Sequence, residues 1–90
     1  MKTIHVQLSR FHLITDMFED EIALYFYHIL NPEIGLAIFW QIDEARRLKP
    51  SPVFSKLITN GLCLTQEIAT DLNKLINKLG IETKLPLPLN

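Results

Sequence analysis

Ninety residues with apolar side chains recurring every three to four positions predict an all-α protein: a compact bundle of three to four short helices, with a possible short N-terminal strand and an extended, proline-containing C-terminal tail. Three observations carry that expectation. Apolar stripes run through Phe18, Ile22, Tyr25 and Ile29, then Ile34, Ile38, Ile42 and Leu48, then Ile68, Leu72, Leu75 and Leu79. Residues suited to helix starts stand at Asp16, at Asn31-Pro32-Glu33 and at Thr65. Breaks fall at Lys49-Pro50-Ser51-Pro52, Asn60-Gly61 and Gly80.

Taken in order, Ile4, Val6 and Leu8 alternate with polar residues, the period of a half-buried strand, although Ile4, Leu8 and Phe11 also fit a helix. From Asp16 a helix is expected to Ile29, with Glu19, Asp20 and Glu21 near the positive end of its dipole. Asn31 caps a second helix that Pro32 and Glu33 begin and that runs to about Leu48, with Asp43 placed to pair with Arg46 or Arg47. Residues 52–80 read either as two helices, separated by a turn at 60–64 with Thr65 capping the last, or as one long helix with Gly61 inside it. Pro86 and Pro88 forbid helix in the tail.

Composition bounds the function. A chain of this length holds one core, so residues 1–90 are expected to form a single domain without an interdomain cleft. The 48% hydrophobic and 21% charged content is that of a folding chain. A net charge of -1 gives no general attraction to nucleic acid or to an anionic membrane. The apolar region from Ile22 to Ile42 is broken by Asn31, Pro32 and Glu33, which makes buried elements cheaper than a membrane span. With one cysteine and no apolar run in MKTIHVQLSR, a cytoplasmic setting is the expectation.

No catalytic, cofactor or metal signature stands out. His12 and Asp16 have a helical ligand spacing with Glu19 and Asp20 beyond, but no second matched pair of ligands follows, and capping explains the acids. His28, between Tyr27 and Ile29, reads as a pH switch or as a half-buried histidine with one backbone partner. Cys63, lacking a nearby base, reads as a small buried hydrophobe. The aromatics are more informative: Tyr25, Phe26, Tyr27, Phe39 and Trp40 are more than one small bundle can bury, so they form the candidate protein interface.

The segment Val53-Phe54-Ser55-Lys56-Leu57-Ile58, a turn near Gly61, then LTQEIATDLNKLINKLGI resembles the second and third helices of winged helix-turn-helix regulators. That resemblance implies Thr65, Gln66, Thr70 and Asn73 facing DNA bases, Lys74 and Lys78 facing phosphates, and Ile68, Leu72 and Leu75 packed inward. The turn is a residue longer than in that family, and IETKLPLPLN lacks the turn of a wing. The same end of the chain is also similar to the terminal helix of ferritin-like spore-coat proteins. The leading expectation is a non-enzymatic interaction module, a homodimer or the binder of another protein, with no cofactor and no membrane partner. A DNA-binding regulator using Thr65–Gly80 as recognition helix is the alternative.

Overall fold

The computed structural model describes residues 10–80, which form an antiparallel sheet of four strands and a single helix. The strands are β1 (Phe11–Met17), β2 (Glu21–His28), β3 (Gly35–Gln41) and β4 (Phe54–Ile58), and α1 (Gln66–Lys78) follows them. Their order in the sheet is β1-β2-β3-β4, so each strand pairs with its neighbour in sequence.

The helical bundle is therefore overturned, and the reason lies in the sheet's two faces. Ile22, Leu24, Phe26 and His28 point to one side of β2, while Ala23, Tyr25 and Tyr27 point to the other. Both sets are apolar or aromatic, so the period of two is hidden and the run imitates a helical stripe. β-branched and aromatic side chains suit the pleated surface better than a helix. The expected first helix is thus the end of β1, a hairpin turn and β2. Asp16 lies within β1 rather than capping a helix, Glu19 and Asp20 occupy the hairpin turn and Glu21 opens β2, the turn being closed by Phe18 N–H on the Glu21 carbonyl at 2.8 Å.

The expected second helix is a turn followed by β3. Asn31 does cap, but it caps a turn: its side chain accepts from Glu33 N–H at 3.2 Å while Ile34 N–H returns to the Asn31 carbonyl at 3.0 Å. Gly35 then runs so close to β2 that a Cβ would collide with the Phe26 carbonyl. After β3 the chain reverses at Asp43–Arg47, with Arg46 at a φ of 63°, and bridges Ile42 to Leu48. Pro50 and Pro52 lie in the irregular stretch that leads to β4. Trp40 Nε1–H donates to the Lys49 carbonyl at 2.5 Å, giving a partner to an acceptor just before the prolines.

Residues 52–80 hold neither one helix nor two. Phe54 to Ile58 is an edge strand, and Asn60 and Gly61, both at positive φ, make the turn closed by Leu62 N–H on the Thr59 carbonyl at 2.9 Å. The last helix forms as expected, with the Thr65 side chain accepting from Ile68 N–H at 3.2 Å. Its Ile68, Ala69, Leu72, Leu75 and Ile76 cover Ile22, Leu24, Phe26, Leu36, Ile38 and Trp40 of the sheet, and Ile34, Ile42 and Leu64 complete the core. No helix of the described residues is long and apolar enough to cross a membrane. The possible N-terminal strand and the proline tail lie outside the described residues.

Candidate functional site

Two arrangements concentrate chemistry, one inside the sheet–helix layer and one on the side that α1 leaves open. The inner one is centred on His28, at the end of β2 and wholly buried. Its Nδ1 accepts the backbone N–H of Leu30 at 3.1 Å, so the ring proton sits on Nε2, which donates to Asp71 Oδ2 at 2.6 Å. The same carboxylate oxygen accepts from Arg10 Nε at 2.9 Å, and Arg10 Nη2 reaches Glu67 at 2.7 Å. Phe11 meets the imidazole edge-on at 5.2 Å. Burial pushes the Asp71 carboxyl up, but the His28 hydrogen bond and the Arg10 charge outweigh it and hold the group below its ordinary value.

This cluster has the ingredients of a histidine–carboxylate dyad without its freedom. A general base needs an open ring nitrogen, and here Nδ1 is taken by Leu30 and Nε2 by Asp71. It is a tie between sheet and helix. Neither expectation for His28 named Asp71, Glu67 or Arg10. Glu67 and Asp71 stand one helical turn apart, but nothing local joins them to Arg10, 57 and 61 positions away, or joins Asp71 to His28, 43 positions away.

The outer arrangement follows from strand register. Three rows cross the open face: His12, Tyr27, Gly35, Ile58; then Ile14, Tyr25, Ala37, Lys56; then Asp16, Ala23, Phe39, Phe54. Tyr27 stacks on Tyr25 at 6.4 Å, Tyr25 meets Phe39 edge-on at 6.4 Å, and Phe39 packs on Phe54 at 5.4 Å. The rings form one diagonal ridge from β2 to β4. Ala23, Ala37 and Gly35 lie buried at its foot. Ile14 is 52% and Phe54 56% exposed, so the face meets solvent at both of its edges. Charges of both signs flank it: Asp16 and Glu21 on the β1–β2 side and Lys56 on β4.

No family of known proteins, no curated protein and no solved structure matches this chain.

The sequence-derived interface set is split by the sheet. Tyr25, Tyr27 and Phe39 come together on the open face, whereas Phe26 and Trp40 point inward into the core. Phe54 and Ile14 join the face and were missed, because their apolar character reads as core until the edge strands are placed. His12 and Asp16, a helical ligand spacing, are on a strand and hence about 13 Å apart. Cys63 is exposed rather than buried.

On α1, Gln66, Thr70, Asn73, Lys74 and Lys78 face outward, Thr65 is engaged as the cap, and the Thr70 hydroxyl donates to the Gln66 carbonyl at 2.8 Å. The helix that should precede them in a helix-turn-helix is strand β4, so that supersecondary motif is not formed.

Proposed function

We propose that the chain is a non-enzymatic protein-docking module whose binding surface is the open face of the sheet. The observation that carries this reading is the continuous ridge Tyr27–Tyr25–Phe39–Phe54, built on rigid strands and flanked by partly exposed apolar neighbours. Aromatic ridges on sheets also stack nucleic-acid bases, but such platforms combine rings with a cationic groove. Here Asp16 and Glu21 share the face with Lys56 and His12, a mixed rim that suits a protein surface. Catalysis finds little support in the His28–Asp71 dyad, whose ring nitrogens are both occupied.

A photoreactive phenylalanine analogue at Tyr25 or Phe54 tests the reading in extract from the native host, with the same group at Asn73 on the exposed side of α1 as control. Covalent protein adducts from the sheet positions and none from the helix are expected. Adducts to nucleic acid, or equal labelling from Asn73, would overturn it.

A further inference from the structure

The open face is complementary to itself, and we infer that its partner is a second copy of this chain, docked about a two-fold axis that runs along the strands between β2 and β3. This inference rests on the docking role proposed above and names its occupant. A rotation about that axis lays β2 over the partner's β3 and β1 over its β4, and leaves each residue at its own level along the strands. Tyr27 then falls on Gly35, Tyr25 on Ala37, Phe39 on Ala23 and Phe54 on Asp16. Three of the four rings, Tyr27, Tyr25 and Phe39, meet a residue with a methyl side chain or none, while Phe54 lies over the exposed edge at Asp16, and each of these meetings occurs twice.

Shape and charge agree. Two sheets packed face to face lie about 10 Å apart, a gap that large side chains fill when they oppose small ones. A ridge over the partner's ridge would hold the sheets apart. Lys56 falls over Ile14, one pleat along from Asp16, so the cation of β4 reaches the acidic edge of the other copy. Glu21 falls over Gln41, which offers it a donor.

Sedimentation equilibrium of the full chain, from low to high micromolar concentration, should show a reversible dimer. Ala37→Tyr fills the hollow that receives Tyr25 and should raise Kd by about tenfold or more, with Lys56→Glu and Asp16→Lys each weakening the dimer as well. The last two substitutions lie on exposed side chains, and melting curves verify that each variant folds. The decisive arm is a mixture: Lys56→Glu with Asp16→Lys restores opposite charges at both symmetric contacts, so the heterodimer should return close to the wild-type Kd. A dimer indifferent to all three substitutions, or no gain on mixing, overturns the geometry. A monomer at every concentration overturns the second copy as occupant. Specific adducts from Tyr25 to a different protein would then leave the docking role standing, whereas no specific adduct would remove both.

Discussion

At the scale of single residues, His28 shows how a buried polar group is made cheap. Both ring nitrogens are satisfied, one by the main chain two residues on and one by a carboxylate that Arg10 also holds. His28→Ala removes the ring and strands the Leu30 N–H and part of Asp71, so chemical denaturation should show a loss of about 3 kcal/mol. The Asp71 carboxyl carries a pH signature. Folding lowers its pKa, so the unfolded chain binds that proton more readily; the stabilisation is complete above about pH 4 and is lost as pH falls through the folded value. Asp71→Asn should lower the melting temperature at neutral pH and flatten its dependence below pH 4, and melts at a series of pH values measure both. An unchanged slope would show that other carboxylates set the acid limit.

At the scale of elements, α1 was readable from the chain and the sheet was not. The helix has one apolar side, a threonine cap and a glycine after its end, each a local signal. Thr65→Ala should therefore cost about 1 kcal/mol in urea unfolding. In β2 and β3 both sides are apolar, and a helix also presents such a run as a stripe; only run length, β-branching and aromatic content separate the two. Asn31-Pro32 misled for a related reason, since the chemistry that caps a helix also closes a tight turn. Three of the four rings of the ridge, Tyr25, Tyr27 and Phe39, were nameable because they stand in dense aromatic runs, whereas Phe54 stands apart on the edge strand. Their separation from Phe26 and Trp40 needed the register. Gly35 marks where that register is tightest: Gly35→Ala should cost about 3 kcal/mol through its collision with the Phe26 carbonyl, whereas Gly61→Ala meets no neighbouring atom and strains only its own backbone. Equal losses at the two glycines, measured by the same urea titration, would contradict this account.

At the scale of the whole molecule, one layer of helix covers one side of one sheet, and the two sides respond differently to the same change. Leu72→Ala opens a cavity in the closed layer and should cost about 3 kcal/mol or more. Phe54→Ser on the open side should leave stability within about 1 kcal/mol while reducing docking, as read by thermal melts beside sedimentation. The order of the strands has a further consequence, for the timing of assembly. Because every strand pairs with its sequence neighbour, the sheet can be laid down by short loop closures, which are fast. The element that shelters Ile22, Leu24, Phe26 and Ile38 comes after all of them along the chain. A nascent meander therefore passes through a stage with two oily sides and no lid, and in that interval the chain is most open to capture by a chaperone or by another unfinished copy of itself.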